Sequence, residues 1–222
     1  MKRIAAALAL AAAMLAAAPG EARKQREVRD ATNPSALVAA EIAFNRLAHE
    51  EGQWTAFREF ADEEAVMFVP QPVKAQEWLK GRDDPAQSVA WQPHQVWISC
   101  DGTLGAVKGA WQRPDGSTGY FTTVWKRQKK GEYLWVMDQG DALAEPLEAP
   151  DMLSAKVADC RSRPAVRPTP EWIDGDVRGG ASTDGTLAWN VWVRPDGTRH
   201  VSIDWWDGSH WKSAIQIKAA PQ

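Results

Sequence analysis

WQPHQVWISCDGTLGAVKGAWQRPDGSTGYFTTVWKRQKKGEYLWVMDQG, residues 91–140, is the stretch that decides how this chain folds. Four runs, at about 92–99, 104–112, 119–127 and 133–140, are rich in Val, Trp, Phe and Thr. They are separated by Asp101-Gly102, Pro114-Asp115-Gly116 and Lys130-Gly131. Runs of that length and composition, broken by glycine-bearing turns, read as four antiparallel strands. Each link suits a three-residue loop, a type I turn closed by a left-handed glycine. Loop length then fixes register, and register sorts the side chains onto two faces. One face carries Trp97, Gly105, Trp125 and Trp135 in a row, next to Gln95, Val107, Thr123 and Met137. The other carries Val96, Ala106, Val124 and Val136, then a polar row of His94, Lys108, Thr122 and Asp138, with Tyr120 one level further out. Glycines stand beside large rings, Gly109 by Phe121 and Gly119 by Trp111, a pairing that suits a bent sheet. Both faces are apolar enough to need cover, and either could be the concave one.

Upstream, Asn33-Pro34 starts a helix, with Asn33 as cap and Pro34 in the first turn. Leu37, Ala40, Phe44, Leu47 and Ala48 recur at helical spacing, and Gly52 ends the run. A second short helix carries Trp54, Phe57 and Phe60 inward. Residues 66–69 read as a short strand ended by Pro70 and Pro72, and 74–80 as a third helix presenting Trp78 and Leu79. Downstream, 143–165 reads as a linker with a short helix near 151–159. Three further strands, at about 186–193, 198–205 and 210–218, form a C-terminal β-meander over 166–222. A Pro195-Asp196-Gly197 loop there puts Leu187, Trp189, Val191, Val201, Ile203 and Trp205 on one face. That face cannot stay wet, at about 25 cal/mol for each Å2 of apolar surface buried. It is expected to pack on the Trp-rich side of the first sheet or on a partner chain. Gly179-Gly180 reads as a linker bend. Ser99-x-Asp101-Gly102-Thr103-Leu104 is echoed by Ser182-x-Asp184-Gly185-Thr186-Leu187, the mark of a second meander.

The whole sequence has 222 residues, 44% apolar and 25% charged, with 26 Lys and Arg against 29 Asp and Glu. That balance, without a basic block, argues against a nucleic-acid platform. Lys2-Arg3, the apolar run at 4–18 and the small residues Gly20 and Ala22 read as a secretory signal over 1–22, followed by a charged leader at 23–32. The run is shorter than the roughly 20 residues a bilayer span needs, so no membrane span is expected after cleavage. A periplasmic or secreted bacterial protein is the expectation. In an oxidising compartment Cys100 and Cys160 either form one bridge or remain two buried thiols.

The order helix, helix, short strand, helix, four-stranded curved sheet resembles the nuclear transport factor 2-like superfamily, the cone-shaped α+β barrel. The resemblance rests on Ala40-Glu41-x-x-Phe44, Gly52-x-Trp54-x-Ala56-Phe57 and Ala61-Asp62-x-x-Ala65-Val66. It continues through Asp101-Gly102-x-Leu104-Gly105, Val124-Trp125-x-Arg127 and Trp135-Val136-x-Asp138, and covers about 35–141 within a domain at 33–142. It looks like the exported branch related to the polyketide cyclase and steroid isomerase-like proteins. It implies a pocket between the sheet and the helices, and a homodimer. The superfamily holds isomerases, cyclases and dehydratases as well as modules that catalyse nothing, so the resemblance leaves activity open.

Three functional readings follow. The first is a small, mainly apolar molecule bound in the cone, lined by His94, Lys108, Tyr120, Thr122, Val124 and Val136. The second is an isomerase- or cyclase-type enzyme with Asp138 as catalytic base, since a carboxylate on an apolar floor has a raised pKa and can take a proton. The third is a glycan-binding or cell-envelope module using Trp192 and Trp206 as exposed stacking surfaces. The four histidines have no ligand spacing, so neither a metal nor a cofactor is expected.

Overall fold

The computed structural model describes residues 32–167 and 176–220. The signal sequence read at 1–22 and nearly all of the leader lie outside the described residues. Helix α1 (Pro34–Glu51) begins as its sequence dictates: the Asn33 side chain accepts the Ser35 N–H at 3.0 Å and Pro34 fills the first turn. Gly52, at φ +116°, turns the chain into α2 (Gln53–Phe60). The orphan N–H groups of Trp54 and Thr55 donate to the carboxylate of Asp84, brought back by the connection after the third helix. Strand β1 (Ala61–Phe68), β2 (Pro72–Lys74) and α3 (Ala75–Leu79) follow.

Four long strands come next: β3 (Ala90–Ile98), β4 (Leu104–Gln112), β5 (Thr118–Arg127) and β6 (Tyr133–Leu143). They belong to a seven-stranded mixed sheet of order β2-β1-β6-β5-β4-β3-β7 rather than to a four-stranded one. β1 adds parallel to β6, and β7 (Ser154–Val157) adds parallel to β3. The helix expected near 151–159 is therefore the edge strand β7. A second sheet, of order β11-β10-β9-β8, is antiparallel. It contains β9 (Leu187–Val193), β10 (Arg199–Trp206) and β11 (Trp211–Ala219), and also β8 (Asp176–Ala181), so the expected three-stranded meander has four strands. Gly179 and Gly180, read as a bend, lie inside β8.

Register departs from the sequence reading at three places, each with a local cause. The β4–β5 and β5–β6 loops have three residues, as expected: Arg113 N–H bonds to Ser117 O, and Gln128 N–H to Glu132 O. The β3–β4 loop has four, because Ser99 N–H bonds to Leu104 O. That extra residue moves Trp97 opposite Ala106 and onto the other face from Trp125 and Trp135. Two bulges then intervene. His94 has no partner residue between Pro93↔Gly109 and Gln95↔Lys108. Val136 has none between Trp125↔Trp135 and Val124↔Met137. A bulge shifts every later side chain to the opposite face. Asp138 consequently pairs with Thr123, not Thr122.

The first sheet is buried on both sides. Against the helices lie Val96, Val107, Phe121, Trp125 and Trp135, packed with Leu37, Phe44, Ala48 and Ala56. Against the second sheet lie Trp97, Leu104, Ala106, Val124 and Met137, packed with Leu187, Trp189, Val191, Val201, Ile203 and Ile215. The C-terminal meander thus covers the face opposite the Trp-rich one, contrary to the expected packing. Gly119 is required here, since a Cβ on it would sit 2.2 Å from the Trp111 ring.

The echoed loops meet each other. In each, the Asp carboxylate accepts from the Ser hydroxyl two residues back and from the N–H and hydroxyl of the Thr two residues on: Asp101 from Ser99 and Thr103, Asp184 from Ser182 and Thr186. Across the interface, Asp101 N–H donates to Asp184 Oδ2 and Asp184 N–H to Asp101 Oδ2, both at 2.8 Å. Cys100 N–H donates to Thr186 Oγ1 and Thr183 N–H to Thr103 Oγ1, both at 2.9 Å. These bonds are reciprocal, as about a local two-fold axis. Cys100 is also joined to Cys160 by a disulfide, which ties the chain after β7 to the same corner. Replacing Asp101 or Asp184 by Ala should each cost about 2 kcal/mol, because several donors lose a charged acceptor. Urea unfolding of the two single variants and the double variant should show a double loss smaller than the sum; strictly additive losses would mean that the loops do not act as a pair.

Candidate functional site

Between the helices and the Trp-rich face of the first sheet lies a cavity of about 820 Å3. That size is within the range typical of small-molecule sites. Phe44 of α1, Trp54 and Phe57 of α2, Phe68 of β1, Trp91 of β3, Trp111 of β4 and Phe121 of β5 supply aromatic walls. Trp111 is held by its indole N–H donating to Tyr120 O at 2.9 Å. At the exposed margin Arg113 stacks over the Trp111 ring, and Lys218 and Ala219 of β11 contribute the edge nearest the second sheet.

Two carboxylates line this aromatic space. Asp138 is only partly accessible and receives one hydrogen bond, from Thr123 Oγ1 to Oδ2 at 2.7 Å. Burial pushes its pKa up to about 6, although the Thr123 bond opposes that shift. Glu41 is fully buried and accepts the indole N–H of Trp91 at 2.7 Å on Oε1 and that of Trp125 at 2.9 Å on Oε2. Burial lifts its pKa to about 8; the two indoles work against the shift and the Asp138 charge adds to it. At neutral pH Asp138 is mainly ionised and Glu41 mainly neutral, so two acids in one cavity hold different protonation states.

The residues expected to form the site separate in the structure. Asp138 and Tyr120 border the cavity. Lys108, Thr122 and Val124 project toward the second sheet instead, because residues alternate and Val124 packs there. Val136 is the bulge residue and packs on that same side. His94, the other bulge residue, is buried; burial and then the Lys108 charge lower its pKa. Tyr120 hydroxyl donates to Asp141 Oδ2 at 2.6 Å, and Arg199 of β10 pairs with the same oxygen. Burial first, then the Asp141 bond, raise the Tyr120 pKa. Trp192 and Trp206 are not exposed: each retains 4% of its surface. Trp206 packs on Trp211 and donates its indole N–H to Ser162 Oγ, so the returning chain covers it. Among the described residues no group of three or more His, Cys, Asp or Glu is placed to hold a metal ion, and no helix is long and apolar enough to cross a membrane.

Glu41 was absent from the residues expected in the site. Its signal is in the sequence all the same: α1 buries Leu37, Glu41, Phe44 and Ala48, so an acid interrupts an otherwise apolar stripe.

No protein-family model matches the chain, and no curated protein matches its sequence. Solved structures of nuclear transport factor 2-like and ketosteroid isomerase-like proteins match about half of it. A Parabacteroides distasonis protein named only provisionally as a ketosteroid isomerase is 14% identical, with a TM-score of 0.39 over 46% of this chain and 85% of that one. A nuclear transport factor 2-like protein of unknown function from Shewanella baltica is 11% identical, with a TM-score of 0.38 over 50% and 94%. A ketosteroid isomerase-like protein from Erwinia carotovora atroseptica is 13% identical, with a TM-score of 0.35 over 50% and 93%. Likeness at this level carries no activity across to the present chain.

The pKa shifts set a pH dependence of stability. Burial raises both acids above their ordinary values of 3.8 and 4.5, so between those values and about 6 and 8 the folded protein holds protons that the unfolded chain has released. Stability therefore falls as pH rises through that window. In Asp138→Asn the Asp138 share of that fall, between about pH 4 and 6, should vanish, while the Glu41 share persists up to about pH 8. Urea midpoints of wild type and variant at pH 4, 6 and 8 measure this; parallel curves would show that Asp138 titrates normally.

Proposed function

We propose that this chain binds a small, mainly apolar molecule in the cone, with the Asp138 carboxylate as the polar group that orients it. The observation that carries this reading is the cavity of about 820 Å3 with aromatic walls and a part-accessible carboxylate among them. Apolar surface supplies affinity and a small number of polar groups supplies orientation, the usual division of labour in such sites. The C-terminal sheet contributes to the margin through Lys218 and Ala219. The secretory signal read at 1–22 and the Cys100–Cys160 disulfide favour an exported protein working in an oxidising compartment.

A second reading, proton transfer on the bound molecule, is favoured by the Glu41–Asp138 pair. An ionised acid near pKa 6 is a competent general base, and a neutral acid lining the same cavity is a hydrogen-bond donor for developing negative charge.

Native mass spectrometry of the protein isolated from an envelope fraction, against a denatured control, tests the first reading. A retained mass of a few hundred daltons, lost in a variant with Trp111 replaced by Ala, is the expected result. Full loading in that variant would place the molecule elsewhere. With the ligand identified, Asp138→Asn should lower any turnover by at least about 100-fold with binding retained; undiminished turnover would remove Asp138 from the chemistry.

A further inference from the structure

Asp138 and Asp141 lie on the same strand, three residues apart, and are treated in opposite ways. Asp141 receives Tyr120 hydroxyl and pairs with Arg199. Asp138 receives one neutral hydroxyl, from Thr123, on Oδ2. Among the described residues no Lys, Arg or His pairs with it. An ionised carboxylate held away from water without a counter-charge is costly, and proteins ordinarily supply one. The basic residues that do border the cavity, Arg113 and Lys218, are both exposed, and Arg113 is occupied against Trp111.

The walls around Asp138 are also selective. Trp54, Phe57, Trp91, Trp111 and Phe121 line the same cavity. Aromatic rings carry negative charge on their faces and attract organic cations, more strongly when both are desolvated. An anionic ligand would meet Asp138 and these rings with the same sign of charge. A hydrated metal ion would find one carboxylate without a partner cation, and among the described residues no group of three or more His, Cys, Asp or Glu is placed to hold it.

We propose that the ligand of this cavity is an organic cation, a protonated amine or quaternary ammonium on an apolar body, with Asp138 as its counter-ion and the aromatic walls enclosing it. This rests on the binding reading above and adds to it the charge of the ligand. The occupant supplies the positive charge that Asp141 obtains from Arg199 and that Asp138 lacks.

Three probes of one shape separate the two claims: biphenyl-4-methylammonium, biphenyl-4-methanol and biphenyl-4-carboxylate, titrated calorimetrically into the whole mature protein at pH 7.5. The ammonium is expected to bind at least 10-fold more tightly than the alcohol, and the carboxylate most weakly. In Asp138→Asn that preference should fall to about twofold while the alcohol still binds measurably, which shows that the cavity is still formed. Equal or tighter binding of the alcohol or the carboxylate by wild type would overturn the cation proposal and leave the cavity a binding site. A preference that survives in Asp138→Asn would equally overturn it, by removing Asp138 from the counter-ion role. No binding of any of the three would overturn both this proposal and the reading on which it rests.

Discussion

A sheet buried on both faces has no face to which a misplaced side chain can be sent, and that constraint organises this molecule. The helices cover one side of the first sheet and the second sheet covers the other. In such a sheet a one-residue offset exchanges two complete sets of contacts. The chain uses such an offset at Val136, where one extra residue in β6 lets Trp125 and Trp135 face the helices while Met137 faces the second sheet. Beyond it the alternation resumes in the opposite phase and delivers Asp138 to the cavity. In an unbulged strand that acid would be pressed between two sheets, with neither water nor a ligand within reach. The site therefore depends on an irregularity in the ladder as much as on the residue that occupies it.

What the sequence disclosed, and what it withheld, follows from how local each signal is. The Asn33-Pro34 start, the Gly52 stop and the loops at Pro114-Asp115-Gly116 and Pro195-Asp196-Gly197 are short-range devices, and the structure has them where the residues stand. Rows between β4 and β5, and between β9 and β10, follow directly from those loops. The bulge at Val136 carries no such mark: its flanking residues are ordinary strand residues, and packing on both sides selects the offset. At His94 the one local sign is Pro93, which has no N–H to give the ladder. The loop at 100–103 has four residues rather than three for a related reason. Its geometry is set by Asp101 binding Thr103 and the Asp184 N–H, a partner more than eighty residues away. β7 is four exposed residues whose pairing with β3 is parallel and non-local, so local propensity gives little guidance.

Asp138 itself was readable as the acid of interest, but through a row that the structure divides. Lys108 and Thr122 do pair, on the other side of the sheet from the cavity, and His94 drops out of the row as a bulge residue. Glu41 could be found only by weighing a charged residue against the stripe it interrupts. Its burial is tolerable because two indole N–H groups reach it, and those come from β3 and β5, strands far from α1 in the sequence.

The contrast along β6 is the most informative chemical feature of the fold. Asp141 and Asp138 share a backbone and a sequence neighbourhood, and both border the cavity. One is closed off by a tyrosine and an arginine, the second contributed by β10. That arrangement fastens the two sheets together and leaves little capacity for anything else. The other is given a hydroxyl and open space among aromatic rings. Selection for stability alone would favour a neutral residue or a paired acid at position 138, because an unpaired carboxylate there weakens the fold as pH rises. An acid retained at that cost is most simply explained by what it does for the occupant of the cavity, whether by holding its charge or by taking its proton.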